Sequence, residues 1–237
     1  MNTFLNKLFF RLQKPDYINI GIKKIFEETD IKIIFEAINT YNDISEIRYV
    51  GGCVRKIINR EKIDDIDLAT NLNPKEICDA LTRNNINFFE SGIDHGTVTA
   101  LIDKQKFEIT SLRKDISTDG RHAKVKFTKN WKEDALRRDF TINSIYADKE
   151  GNLFDPLNGK KDLENGKIEF IGESEKRIKE DYLRILRYVR FFLNYSKEKH
   201  DERTLKKIRK NLDGVLNLSS ERLLDELQKI IRSKNFL

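Results

Sequence analysis

Proline and glycine are scarce in this sequence, at 3 and 11 of its 237 residues. Neither a disordered linker protein nor a β-sandwich rich in tight turns is built from so few chain breakers. Cysteine is scarcer still. Cys53 and Cys78 cannot supply a disulfide framework or a four-thiolate zinc site, and they read as small space-fillers. A reducing, cytoplasmic location is the expectation that follows. His95, His122 and His200 are scattered without ligand spacing, so no metal is assigned to them. Long uncharged apolar runs are lacking, which excludes a membrane-spanning helix. Met1 to Phe10 shows no secretory arrangement of charge, apolar run and small-residue cleavage site.

Charge is what the chain has in abundance. Asp, Glu, Lys and Arg make up 35% of residues, and 45 basic against 39 acidic side chains leave a formal charge of +6. The 38% of hydrophobic residues suffices for a core, and the length fits one large domain or two small ones. The positive excess is mild and suits an anionic partner.

Patterning divides the chain. Residues 1–46 read as helices, with Ile18, Ile22, Ile25 and Phe26, then Ile33, Ile34, Ala37 and Ile38, at helical spacing. From Ile47 the texture is mixed. A strand at Ile47–Val50 is halted by Gly51-Gly52, a short helix covers Val54–Ile58, and another strand covers Ile66–Ala69. Asn73 as cap and Pro74 in the first turn begin a helix. Strands are expected at Asn87–Glu90, Thr97–Ile102 and Lys106–Thr110, the last two joined by a hairpin turn. Arg113–Lys126 is polar and weakly patterned and reads as a mobile loop. A strand at Ser144–Ala147 precedes a turn at Asp148–Asn152. After Gly172 the period is helical to the end. Ile178, Tyr182, Ile185, Leu186 and Val189 form one stripe, and Thr204–Leu212 and Arg222–Ile231 form two more. The pattern is a mixed α/β head to about residue 165, then an all-α segment.

The most informative stretch is Gly-Gly-Cys-Val-Arg at 51–55 followed by Asp65-Ile66-Asp67-Leu68-Ala69-Thr70. Side chains alternate faces along a strand, so Asp65 and Asp67 point one way while Ile66 and Leu68 point to the core. Two carboxylates side by side repel each other unless a cation lies between them. Mg²⁺ takes a few carboxylate oxygens plus waters and substrate phosphates, and such a site suits in-line nucleotidyl transfer. An exposed acidic strand edge is the alternative. Two glycines let backbone approach phosphate, a helix beginning there offers free N–H groups, and Arg55 is a planar phosphate donor. Glu108, between Phe107 and Ile109 on a neighbouring strand, is either the third carboxylate of this set or a solvated strand position.

Three later segments extend the pattern: Arg137-Arg138-Asp139-Phe140-Thr141-Ile142-Asn143-Ser144, Asp155-Pro156-Leu157-Asn158-Gly159-Lys160-Lys161-Asp162-Leu163, and Glu180-Asp181-Tyr182-Leu183-Arg184-Ile185-Leu186-Arg187. In order and spacing, these with the first two motifs resemble the class II tRNA nucleotidyltransferase / bacterial poly(A) polymerase family from about Ile47 to the C-terminus. The resemblance implies an α+β fold: a nucleotidyltransferase head with a small mixed β-sheet flanked by helices over 1–165, then an all-α neck over 166–237. It implies Mg²⁺ at Asp65 and Asp67, with Glu108 beside them. It implies nucleotide contacts at Gly51, Gly52, Arg55, Arg137, Arg138, Asp139 and Asn143, with the paired arginines on triphosphate and Asp139 on ribose. Asp181 and Arg184 match the family's protein template for the incoming base, and Arg187 and Arg190 continue that row. Asp181 and Arg184, three apart, read as neighbours on one helix face joined by an intrahelical salt bridge.

The activity this implies is template-independent addition of CCA to tRNA 3′ ends from CTP and ATP, with pyrophosphate released. A poly(A) polymerase of the same family, or a remnant that binds nucleotide or RNA with little turnover, are the alternatives. Arg113-Lys114-Asp115 and Asp119-Gly120-Arg121 resemble the loop that family members need to switch from C to A. Gly92-Ile93-Asp94-His95-Gly96-Thr97-Val98 lacks the Gly-basic-basic-Phe signature of the polymerases and looks more like the CCA-adding type. The expected partners are the tRNA acceptor end, CTP and ATP, with no membrane and no obligate protein partner. Lys56 replaces the Asp usual in the family, a change expected to loosen Arg55. Ser219–Leu227 resembles a neck-helix motif with only ten residues after it, so the tRNA-gripping body and tail helices are expected to be absent.

Overall fold

A computed structural model describes residues 17–118, 123–197 and 199–236. Two amphipathic helices, α1 (Tyr17–Glu28) and α2 (Ile31–Asn39), bury Ile18, Ile22, Ile25, Ile31, Ile34, Phe35, Ala37 and Ile38. The sequence-based expectation of helices over 1–46 thus holds for most of 17–39 and not for 40–46, which form a turn before β1, while residues 1–16 lie outside the described part. After β1 (Ile47–Val50) come α3 (Gly52–Ile58), β2 (Asp67–Thr70) and α4 (Pro74–Arg83). Asn73 caps α4 in a reciprocal box with Glu76: each side chain accepts the other residue's main-chain N–H, at 3.0 and 2.8 Å. Next are β3 (Asn87–Gly92), β4 (Thr97–Ile102) and β5 (Gln105–Ser111). Asp103 and Lys104 both take left-handed φ of 45° and 70° at the β4–β5 turn, the geometry of a two-residue hairpin.

The main sheet has seven strands in the order β3-β4-β5-β2-β1-β8-β9, where β8 is Tyr146–Ala147 and β9 is Leu153–Phe154. Every pairing in it is antiparallel except β2 with β5, so the sheet is mixed. One face carries Ile47, Tyr49, Leu68, Val98, Ala100, Phe107 and Ile109 into the main core beneath α1–α4. The pleat sends Val50, Asp67, Ala69 and Glu108 to the other face. There α5 (Trp131–Arg137) covers only a small cluster of Val50, Ala69, Leu112, Ala135 and Tyr146. The acidic residues therefore stand on the part of the sheet left uncovered.

Two expectations are corrected. Arg113–Lys126 is not a loop where it is described: β6 (Arg113–Thr118) and β7 (Ala123–Phe127) pair as a separate antiparallel ribbon. β7 alternates Ala123, Val125 and Phe127 with two lysines, but β6 carries Ile116 as its one apolar residue, so the segment read as a whole looks polar. Asp119, Gly120, Arg121 and His122 lie outside the described residues. After α6 (Gly159–Asn165), the single stripe from Ile178 to Val189 is two helices, α7 (Ser174–Glu180) and α8 (Leu183–Tyr195). Asp181 between them is extended, with φ −158° and ψ 108°. The buried residues are Ile178, Ile185, Tyr188 and Phe191, and Val189 is only partly covered. α9 (Glu202–Lys210) and α10 (Ser220–Ile231) complete the helical part. Among the described residues, no helix is long and apolar enough to cross a membrane.

Replacing Asn73 by Ala should cost about 1 kcal/mol, the usual worth of such a cap. Thermal denaturation reads this as a lower Tm with unchanged chemistry at the distant carboxylate face.

Candidate active site

Gly51, at φ 67°, turns the chain out of β1 into α3, a conformation that disfavours any side chain. A Cβ on Gly51 would stand 3.6 Å from Arg138 Nη1, and one on Gly52 would stand 3.9 Å from Asp67 Oδ2. The glycine pair therefore places bare backbone between the acidic and basic halves of the site, next to both. Asp67 opens β2 and is paired in register with Glu108 on β5. Asp65 is exposed and lies two residues before the strand begins, so pleat alternation starts only at Asp67.

Asp65, Asp67 and Glu108 make no hydrogen bond or ion pair through their carboxylates with the described residues. Burial raises the Asp67 pKa; Arg138 and Arg55 oppose it while Asp65 adds to it. Burial, then Asp67 and Asp65, raises that of Glu108. Asp67 and Glu108 thus sense neighbouring negative charge, yet no three His, Cys, Asp or Glu side chains among the described residues close into a ready metal cage. Unpaired, mutually repelling oxygens are the donor set that a hard divalent cation with remaining water ligands suits.

The basic side is built in the opposite way. Asp134, 1% exposed, holds both arginines of the Arg-Arg-Asp motif. Its Oδ1 accepts from Arg137 Nε at 2.8 Å, and its Oδ2 from Arg138 Nη2 at 3.1 Å and from the Tyr146 hydroxyl at 2.7 Å. Burial alone would raise this carboxyl, but Arg138 and Arg137 hold it well below the usual range. Sequence reasoning missed Asp134, although its i, i+3 and i+4 spacing to the two arginines is a visible signal. Asp139 accepts from Phe140 N at 2.9 Å and Asn143 Nδ2 at 2.8 Å on one oxygen, and from Arg187 Nε at 2.6 Å on the other. Its carboxyl is also held well below the usual range, by Arg187 and Asn143 against the effect of burial.

Arg55 is buried, donates from Nη1 to Asn143 Oδ1 and lies over the Phe191 ring at 4.8 Å. The loosening expected from Lys56 is not seen: Lys56 pairs with Asp64 at 2.6 Å, and Asn143 holds Arg55. Arg190 Nε donates to the buried Glu226 at 2.5 Å. Phe191 thus has Arg55, Arg187 and Arg190 around it.

The expected intrahelical bridge between Asp181 and Arg184 is absent. The helix breaks at Asp181, so the two are not on one helix face. Asp181 Oδ2 accepts from Arg222 Nη2 at 2.8 Å, and its Oδ1 accepts from Leu183 N at 3.1 Å. Arg184 Nη1 instead donates to Glu180 Oε2 and to the Arg177 carbonyl, both at 2.7 Å. Both side chains remain at the head-facing start of α8, separately anchored.

Residues 47–169, more than half of the chain, match the family described as "Poly A polymerase head domain". The chain belongs to this family. Residues 199–237 match a second model, "Probable RNA and SrmB- binding site of polymerase A". The polymerase-head chain is 42% identical over 224 residues to a human protein named CCA tRNA nucleotidyltransferase 1, mitochondrial, covering 93% of this chain and 50% of that protein. It is 36% identical over 194 residues to a CCA-adding enzyme of Lactobacillus delbrueckii, covering 80% and 47%. The chain therefore spans about half the length of the curated relatives it matches. Its fold is similar to a Bacillus stearothermophilus CCA-adding enzyme in complex with CTP, with a TM-score of 0.76 at 28% identity over 89% of this chain and 49% of that one. It is also similar to a tRNA nucleotidyltransferase complexed with a primer tRNA and an incoming ATP analog, at TM-score 0.65 and 25% identity over 91% and 57%. The α+β head with a helical continuation is thus the architecture of this family, whose nucleotidyltransferases use a divalent metal.

The unpaired carboxylates make a stability prediction. Asp67→Asn removes a charge that burial disfavours, with repulsion from Asp65 adding to it, so the metal-free protein should gain about 1 kcal/mol, or roughly 2–4 °C in Tm for a chain of this size. The raised Asp67 pKa means that the wild-type residue becomes neutral as pH falls. The gain should therefore be full at pH 7.5 and shrink on acidification. Scanning calorimetry in chelator at both pH values checks this; an unchanged Tm at pH 7.5 would show that the charge is already compensated.

Proposed function

We propose that this chain catalyses template-independent addition of C, C and A to the tRNA 3′ end, using CTP and ATP and releasing pyrophosphate. The observation that carries the reading is the contrast across Gly51 and Gly52: unpaired carboxylates on one side, arginines already held by carboxylates on the other. The names of the human and bacterial relatives, and the CTP and tRNA complexes of the similar structures, support the same substrates. We assign residues 1–165 to a catalytic head and 166–237 to a nucleotide-selecting neck, and a cytoplasmic location from the two free thiols.

Asp65 and Asp67 would hold Mg²⁺, with Glu108 completing the acidic face. When bound, the ion supplies neutralisation of developing charge and a lower pKa for the attacking hydroxyl. Gly51 and Gly52 admit the triphosphate close to backbone. Arg55, Arg137 and Arg138 donate to its oxygens through whatever part of each fork Asn143 and Asp134 leave free. Asp139 and Asn143 take the ribose. Asp181, Arg184 and, further along α8, Arg187 and Arg190 address the base, an acceptor and a donor held apart by their separate anchors. The 3′ oxygen of the RNA then attacks the α-phosphorus, its proton leaves, and the bond to the bridging oxygen breaks so that pyrophosphate departs. Arginines fixed beforehand lose little conformational freedom on meeting this charge, which is how such donors favour a transition state.

The decisive assay follows labelled CTP and ATP into tRNA ending before, within and after CC. Completion to CCA is the expected product. Tailing by ATP alone on many RNAs would move the assignment to a poly(A) polymerase, and nucleotide binding without product to a remnant. Asp65→Ala and Asp67→Ala should each lower turnover on the order of 10²-fold or more, the scale of losing a key electrostatic group; retained activity would sink the assignment.

A further inference from the structure

Arg177, on α7, touches neither the acidic face nor any ring of the site. Its two terminal nitrogens nevertheless hold other parts of it. Nη2 donates to the main-chain carbonyls of both Arg137 and Arg138, the latter at 2.7 Å. Nη1 donates to Glu180 Oε2 at 2.5 Å. The same Glu180 oxygen receives Arg184 Nη1 at 2.7 Å, and Arg184 also donates to the Arg177 carbonyl. The Arg177 side chain is 11% exposed, and its Nε is buried without a hydrogen-bond partner.

The two carbonyls that Arg177 grips close the C-terminal end of α5, where helix carbonyls have no intrahelical partner and the dipole is negative. A cation from another element therefore both satisfies them and fixes where the helix ends. The next residues out of that end are Arg138 and Asp139, and the next out of α7 are Asp181 and, one helix turn on, Arg184. One planar group spans the two. A lysine ammonium carries the same charge but is a compact point donor without the fork, so it cannot hold two carbonyls and a carboxylate in one fixed plane.

We propose that Arg177 is a positioning residue that sets the distance between the triphosphate-binding Arg137-Arg138 segment and the base-reading Asp181 and Arg184, and so makes base selection depend on a correctly seated triphosphate. This rests on the CCA-adding reading given above. A shift of about 1 Å between these groups suffices to cost on the order of 10²-fold. The loss should fall on discrimination, because a correct base gains only when phosphate and base contacts are met together.

The test compares wild type, Arg177→Lys and Glu180→Gln in steady-state incorporation of CTP, ATP, UTP and GTP into tRNA lacking CCA, each below its measured Tm. Both variants should show KM for CTP and ATP raised on the order of 10-fold, and preference over UTP and GTP reduced by at least a similar factor. Glu180→Gln leaves the Arg177 grip on the two carbonyls in place and removes the charge that Arg177 and Arg184 share, so it tests the coupling without disturbing the end of α5. If both variants melt lower yet discriminate like wild type, Arg177 is a structural cap and the proposal is overturned. If wild type itself incorporates neither CTP nor ATP, the functional reading falls, and this inference with it; wild-type activity with unchanged variant selectivity sinks the inference alone.

Discussion

A guanidinium taken out of water must keep acceptors around it, and that demand organises this molecule. Arg137 and Arg138 share Asp134, Arg187 meets Asp139, Arg190 meets Glu226, and Arg184 with Arg177 meets Glu180. Removing one member of a buried pair costs about 3–5 kcal/mol because the other is stranded. The arginines are thus locked to specific carboxylates, on the same helix or its cap for Arg137, Arg138 and Arg177 and from a different element for Arg187 and Arg190. One of these pairs, Asp139 with Arg187, joins the sheet-bearing part to the helices that follow it. Asp139 and Asn143, from the segment between α5 and β8, reach Arg187 on α8 and Arg55 on α3, and Phe191 fills the space among the guanidiniums.

Against this background the three carboxylates without partners are the anomaly. Elsewhere in the site an acidic group is matched by a basic one; on β2 and β5 it is not. Proximity of like charges on a half-covered sheet face destabilises the empty protein, and natural sites accept such a cost where a ligand relieves it. The glycine pair keeps this face in reach of the arginines. Any side chain at Gly51 would force an unfavourable backbone beside Arg138. Fold and electrostatics therefore converge on one opening, between α3, the start of β2 and the end of α5.

The break between α7 and α8 is the second structural decision. A continuous helix would have spent Asp181 on Arg184 as an ordinary surface pair worth a few tenths of a kcal/mol. The extended Asp181 instead leaves each residue to a separate partner, Arg222 and Glu180. An acceptor and a donor that do not neutralise each other remain able to meet a third group, which is what recognition of a base edge requires.

The sequence by itself determined six of the nine described strands and most helices of the head, the cap of α4, the β4–β5 hairpin and the family, because these are written in short-range periodicity, turn chemistry and motif order. It also placed Asp67 and Glu108 on one sheet face, through alternation with Leu68, Phe107 and Ile109. It did not disclose the β6–β7 ribbon, whose first strand lacks apolar alternation, or the break at Asp181, which lies inside an uninterrupted apolar stripe. Nor did it disclose which carboxylate holds which arginine. Asp139 with Arg187 and Glu226 with Arg190 are 48 and 36 residues apart, and a charge pair leaves no periodic trace at that separation. Only the tertiary packing, by withdrawing water from those guanidiniums, decided their partners, and with them which groups of the site are fixed and which stay open.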